Sequence, residues 1–198
     1  MYSDITGIIL AGGKSSRMGV NKCFLKIGNE TIIERTLSLM KSIFSNVIII
    51  TNTPVEYTSL NALVFKDILK ELGPIGGIHS GLTNSLTEEN FVISCDLPLM
   101  TKEMIEFITE YKSDKLIRFC NAAGYNQPLA GVYKKVLIDD IEKFLNEGGG
   151  TSTKSFHQLL KNVNAEIINP EGLSFYKEEL FFNMNNLKNY GYILSKSS

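Results

Sequence analysis

Apolar and polar positions follow two rhythms along the chain. Residues 5–10 form a mostly apolar run that ends in glycines, the pattern of a strand buried on both faces. Further on, Ile33, Leu37, Met40 and Phe44 recur at helical spacing behind Thr31-x-x-Glu34, which has the form of a capping box. Residues 47–50 read as a second buried strand and 64–65 as a short third one. Gly73-Pro74 punctuates the chain before a helical stretch that runs to about Leu86. Residues 91–95 form another strand, and Thr101 is placed to cap the helix after it. Residues 116–119 and 129–133 read as strands, and 134–146 as a helix that Gly148-Gly149-Gly150 ends. Segments 152–160, 166–168 and 180–182 and a final short helix complete the order.

Strands that alternate with helices predict a mostly parallel sheet covered on both faces, a Rossmann-like three-layer α/β arrangement. In such sheets ligands sit at the carboxyl ends of the strands, so the residues that follow strands carry the candidate chemistry. The 198 residues suit one such domain and are short for two.

Composition narrows the function. The chain is 43% hydrophobic and 21% charged with net charge −1, which leaves no broad basic surface for nucleic acid or anionic lipid. No apolar run reaches membrane-spanning length, and Asp4 and Gly7 interrupt any signal-peptide pattern. Cys23, Cys95 and Cys120 lack C-x-x-C spacing, which argues against a zinc site or disulfide framework and fits a reducing cytoplasm.

The first strand runs straight into Leu10-Ala11-Gly12-Gly13-Lys14-Ser15-Ser16-Arg17-Met18-Gly19, followed by Lys22. Glycines let the backbone turn sharply, and successive inward N–H groups form an anion nest. Arg17 and Lys22 add positive charge, a combination suited to a triphosphate. The spacing excludes a P-loop, whose earlier glycine would fall at Ile8, and a dinucleotide G-x-G-x-x-G. From the glycines alone, a plain strand-to-helix turn fits equally well. Asp96 follows a strand and precedes Leu97-Pro98; a carboxylate there can hold Mg²⁺, although Asp also favours turns before proline. Asp67 closes the short third strand, where one carboxylate can accept both adjacent donors of guanine or cap a helix over 68–72. Asn52, after the second strand, also suits a turn.

The stretch L-A-G-G-x-S-x-R-M-G-x-x-K resembles the signature of the molybdenum cofactor guanylyltransferases. Related nucleotidyltransferases usually read L-A-A-G, so Gly12 points to the guanylyl branch. Asn21 departs from the family's usual Asp. Cys95-Asp96-Leu97-Pro98 resembles the family's metal motif, and Gly73-Pro74-Ile75-Gly76-Gly77-Ile78 its G-P-[LI]-x-G-[IM] stretch. On the acceptor side, Gln127-Pro128-Leu129 and Phe182-Asn183-Met184-Asn185 resemble [HQ]-P-L and F-x-N-x-N, while Asn186-Leu187-Lys188 departs from the family.

The resemblance implies a single domain of the nucleotide-diphospho-sugar transferase type, with a nucleotide-binding half over 1–100 and an acceptor-binding half over 101–198. It implies GMP transfer from GTP to the terminal phosphate of molybdopterin, with Mg²⁺ on Asp96. Leu10, Ala11, Gly12, Gly13, Lys22, Asn52, Asp67 and Asp96 would bind GTP and metal, and Arg17, Lys22 and Asp96 would act on the phosphates. Transient contact with cofactor-synthesis proteins or molybdoenzymes belongs to the same expectation, with no nucleic-acid or membrane partner. A cytidylyltransferase on molybdopterin, an enzyme acting on another phosphorylated small molecule, and a non-catalytic GTP-binding module stay open. His79 reads as a helix residue, His157 as surface, and Phe175-Tyr176 and Phe181-Phe182 as core.

Overall fold

The computed structural model describes residues 1–12, 21–69, 71–147 and 155–196. In chain order, β1 (Tyr2–Leu10) leads past the short pair β2 (Lys26–Ile27) and β3 (Glu30–Thr31) into α1 (Ile32–Ile43) and β4 (Phe44–Thr51). Next come β5 (Leu63–Lys66), α2 (Pro74–Asn84), β6 (Glu89–Ser94) and α3 (Lys102–Glu110). The second half adds β7 (Ile117–Ala122), β8 (Tyr125–Lys134), α4 (Leu137–Asn146), α5 (Phe156–Asn162), β9 (Ala165–Ile168) and α6 (Leu187–Lys196).

The strands form a seven-stranded sheet in the order β5-β4-β1-β6-β8-β7-β9. The first four run parallel, and β8 enters antiparallel to both β6 and β7. Strand alternation divides the buried side chains between two cores. Ile9, Ile49, Phe91 and Ile93 face one core, which α1 and α3 cover with Ile33, Met40, Met104 and Ile108. Ile8, Ile48, Ile50 and Val92 face the other, covered by Ile75, Ile78 and Leu82 of α2 and Leu137 and Ile141 of α4. The mostly parallel three-layer α/β expectation is met. Among the described residues no helix is long and apolar enough to cross a membrane.

Several boundaries differ from the sequence reading. The capping box forms as expected: Thr31 Oγ1 accepts from Glu34 N, and the Glu34 side chain accepts from Thr31 N. Phe44, however, ends the helical rhythm and opens β4, where it stacks on Phe91 at 5.7 Å. Thr101 occupies the cap position of α3 without making a side-chain cap bond; its Oγ1 is buried with no partner among the described residues. Lys134 belongs to β8, and α4 starts only at Leu137. The glycines at 148–150 lie outside the described residues. The 180–182 segment is a 3-10 turn, Glu178–Phe181.

Strands β7 and β8 form a hairpin closed by Ala123 (φ 53°) and Gly124 (φ 78°), the two positive φ values of a type I′ turn. Helix α2 starts at Pro74, after Gly73 at φ 56°. It lies close on β1, since a Cβ at Gly81 would stand 2.7 Å from Ile8 Cγ2. That approach brings the first turn of α2 over the strand ends.

Candidate active site

The parallel strands β1, β4, β5 and β6 end on one side of the sheet. Gly12, Asn52, Asp67 and Asp96 follow these ends, and all four line one cavity of about 690 Å³. Gly73, Pro74 and Gly77 of the α2 start form another wall. The glycine-rich loop, with Gly13 and Arg17, lies outside the described residues; its two flanks are described.

The N-terminal flank is fixed through backbone groups. Leu10 O accepts from Cys95 N at 3.0 Å, and Ala11 N donates to Ile50 O at 2.8 Å. Ala11 O accepts two hydroxyls, Thr51 Oγ1 at 3.2 Å and Tyr57 Oη at 3.1 Å. Gly12 is exposed, and a Cβ there would meet nothing nearer than Asn52 Nδ2 at 3.5 Å.

The C-terminal flank begins at Asn21. Its Nδ2 donates to Glu56 Oε2 at 2.7 Å and to Tyr57 Oη at 3.1 Å, while its Oδ1 accepts Cys23 N. An aspartate could not donate to Glu56, so the departure from the family's residue matches its surroundings. Tyr57 therefore ties both flanks of the loop, bonded to Ala11 on one side and Asn21 on the other. The sequence reading missed it, because residues 54–57 carry only an ordinary Pro-led turn.

Asp67 is nearly buried. Its Oδ1 accepts Leu69 N at 3.1 Å and Ser80 Oγ at 2.9 Å. The helix-cap alternative fails here: no helix is present over 68–69 or 71–72, and the bond to Leu69 N is a local Asx turn. Asn52 projects beside Gly12.

Asp96 sits just beyond β6, and burial pushes its carboxyl above the usual value, opposed by a hydrogen bond from Ser94 and the charge of Lys22. With its amide nitrogen facing the carboxylate, Asn183 donates to Asp96 Oδ1 at 3.0 Å and Oδ2 at 3.3 Å. Met184 N donates to Asp96 O at 2.9 Å, and Lys22 Nζ donates to Asn185 Oδ1 at 3.4 Å. No group of three or more His, Cys, Asp or Glu side chains suited to a metal occurs among the described residues.

Asn183 also lines a second cavity, about 770 Å³, with Tyr125, Gln127, Lys177, Phe182 and Tyr192. The two cavities thus adjoin at the Asp96–Asn183 pair. Gln127 Nε2 donates to Ala122 O at 3.2 Å, which holds its amide at the hairpin turn. Phe181 is core, whereas Phe175, Tyr176 and Phe182 are only partly buried against it.

Cys23 and Cys95 come together, although the sequence scatters them. A hydrogen bond between them lowers the Cys23 thiol and raises that of Cys95. All three cysteines are free and buried. His157 is exposed, as read from the sequence. His79 is buried in α2, where its Nε2 lies 3.0 Å from Glu142 Oε1.

The model of the MobA-like NTP transferase domain matches residues 7–163. The chain is 36% identical over 191 residues to a Clostridium perfringens protein named "Probable molybdenum cofactor guanylyltransferase", covering 95% of each chain. It is 31% identical over 186 residues to the molybdenum cofactor guanylyltransferase of Desulfosudis oleivorans, covering 89% of this chain and 92% of that one. An Aquifex aeolicus crystal structure superposes with a TM-score of 0.76 at 32% identity, covering 93% and 94% of the two chains. The molybdopterin-guanine dinucleotide biosynthesis protein A of Archaeoglobus fulgidus shares the fold, with a TM-score of 0.77 at 21% identity over 97% and 96%. The strand-end cavity, the glycine-loop signature and these relatives agree, and the chain belongs to the molybdenum cofactor guanylyltransferases within the MobA-like nucleotidyltransferase family.

Proposed function

We propose that this chain transfers GMP from GTP to the terminal phosphate of molybdopterin and releases pyrophosphate. The observation that carries this reading is the meeting of two cavities at Asp96 and Asn183. One carries the residues that suit a nucleoside triphosphate. The other suits a polar heterocyclic acceptor. A terminal phosphate oxygen of the acceptor attacks the α-phosphorus, and the bond to the bridging oxygen of the β-phosphate breaks. The nucleophile is already anionic, so no protein base is needed, and catalysis rests on positioning and charge.

The loop over 12–19 and Leu10 and Ala11 hold the triphosphate in this reading. Arg17 and Lys22 neutralise it. Asn52 and Asp67 bind the nucleoside, Asp67 through the paired donors of guanine. Nucleotide binding belongs mainly to 1–100 and acceptor binding to 101–198, with Leu129 crossing to the nucleotide cavity.

Asp96 fits one divalent ion of the Mg²⁺ type. It is a single carboxylate at the cavity wall, in no group of three or more potential metal ligands among the described residues, and Mg²⁺ commonly completes its shell with phosphate oxygens and water. Bound there, Mg²⁺ supplies charge for the leaving pyrophosphate. The cytoplasm is the compartment that fits its free, buried cysteines.

Pyrophosphate release from GTP, CTP and ATP, each with and without molybdopterin and Mg²⁺, tests the assignment. Release should need GTP, the acceptor and the metal together. Equal turnover of CTP would move the chain to the cytidylyl reaction, and GTP binding without any release would make it a binding module.

A further inference from the structure

Ser80 belongs to no nucleotide motif, yet it lies beneath the base-reading position. It sits on α2, fully buried. Its hydroxyl donates to Asp67 Oδ1 at 2.9 Å and accepts Ile68 N at 2.8 Å. Leu69 N donates to the same Oδ1. A carboxylate oxygen offers two lone pairs, so these two donors commit Oδ1, and neither falls on Oδ2. On the α2 side the carboxylate packs close against Gly76, where a Cβ would stand only 3.0 Å from Oδ1 and 3.1 Å from Oδ2. The terminal torsion of an aspartate is otherwise broad. Here one hydroxyl and one backbone N–H lock it.

We infer that Ser80 is a positioning residue for base choice, holding the Asp67 carboxylate so that its remaining lone pairs meet the donor edge of guanine. The inference rests on Asp67 reading guanine, as proposed above. Burial explains why the serine must be paired: its hydroxyl has no access to water and would be costly unbonded. The pairing also serves Asp67. A carboxylate fixed before ligand arrives loses less freedom on binding than one that must be ordered by the ligand.

The 2-amino group isolates this effect, because hypoxanthine lacks it and keeps the N1 donor. GTP and ITP are titrated calorimetrically, with Mg²⁺, against the parent, Ser80→Ala, Asp67→Asn and the double variant, each also melted. Ser80→Ala should lower the GTP-over-ITP affinity ratio roughly three- to tenfold, chiefly through GTP. Within Asp67→Asn the same change should leave the ratio where Asp67→Asn has already put it. Ser80→Cys keeps a hydrogen-bonding atom at the γ position and weakens the donor, and it should lower the ratio in the same direction if Ser80→Ala fails to fold. A lower melting temperature with an unchanged ratio in every Ser80 variant would overturn the inference and leave Ser80 purely structural. If Asp67→Asn also leaves the ratio unchanged, the reading of Asp67 falls and the inference with it. If Asp67→Asn collapses the ratio while the Ser80 variants keep it, only the role of Ser80 falls.

Discussion

With its amide nitrogen turned to the carboxylate, Asn183 donates to both oxygens of Asp96, at 3.0 and 3.3 Å, and so joins the end of β6 to the 183–185 segment. The backbone repeats the join, since Met184 N donates to Asp96 O. One residue further, Asn185 takes Lys22 Nζ. The stretch 183–185 thus holds the acidic and the basic member of the proposed phosphate site, and it stands where the two cavities meet.

Asp96→Asn should remove most turnover and keep the fold. The substitution preserves volume, and burial already disfavours the ionised carboxyl in the free protein, so folding does not depend on its charge. Loss of the carboxylate proposed to hold the metal should slow pyrophosphate release on the order of a hundredfold or more. Release at the parental rate in Mg²⁺, with an unchanged melting curve, would sink the metal role.

Lys22→Ala should weaken GTP more than GMP. Its ammonium meets Asn185 at the long distance of 3.4 Å, a contact weak enough to yield to a phosphate. Calorimetric titration should show a loss of roughly tenfold or more for the triphosphate and a smaller one for the monophosphate. Proportional losses for the two nucleotides contradict phosphate contact.

Gly12→Ala separates packing from recognition. The nearest protein atom to a Cβ there is 3.5 Å away, ordinary contact, so the melting temperature should hold. The added methyl occupies space in the cavity. GTP affinity should fall about tenfold, and CTP affinity by less, if the glycine makes room for guanine. Equal losses for both nucleotides would detach Gly12 from base choice.

Acid stability should report the Glu89–Arg118 pair. Arg118 is buried and donates to Glu89 Oε1 and Oε2 at 2.9 and 2.8 Å, and to Ile108 O and Thr109 O. The hydrogen bonds from Arg118 hold the Glu89 carboxyl below its ordinary 4.5. Its stabilisation is therefore complete above the ordinary value and is lost as pH falls through the lowered one. Glu89→Gln should cost about 1–3 kcal/mol near neutrality, less than a fully buried pair because Glu89 is partly exposed. Its melting temperature should also fall less steeply than the parent's between about pH 5 and about pH 3. Parallel melting profiles would show that the pair does not govern acid stability.

What the sequence carried was local. Strand and helix rhythms, the Thr31–Glu34 capping box and the glycine-loop signature are spacings within a few residues, and these forces act over the same range. They placed Gly12, Asn52, Asp67 and Asp96 after strands, and a parallel sheet then gathers strand ends on one side. Boundaries slipped where a local pattern outran its element. Phe44 kept helical spacing, but its ring packs on Phe91 from the start of β4. The β7–β8 hairpin was hidden because its turn uses Ala123 at positive φ, where Asn or Asp would have signalled it.

Tertiary structure alone decided the contacts between distant segments. The insertion of β8 between β6 and β7, the Tyr57 tie between Ala11 and Asn21, the Ser80 bond to Asp67 and the Asn183 bond to Asp96 have no local spacing to betray them. Tyr57 and Ser80 are fully buried among them, and an unmet hydroxyl there is costly. The sequence by itself determined which residues stand at the strand ends; the packing of helices and C-terminal segment onto the sheet determined how those residues are held.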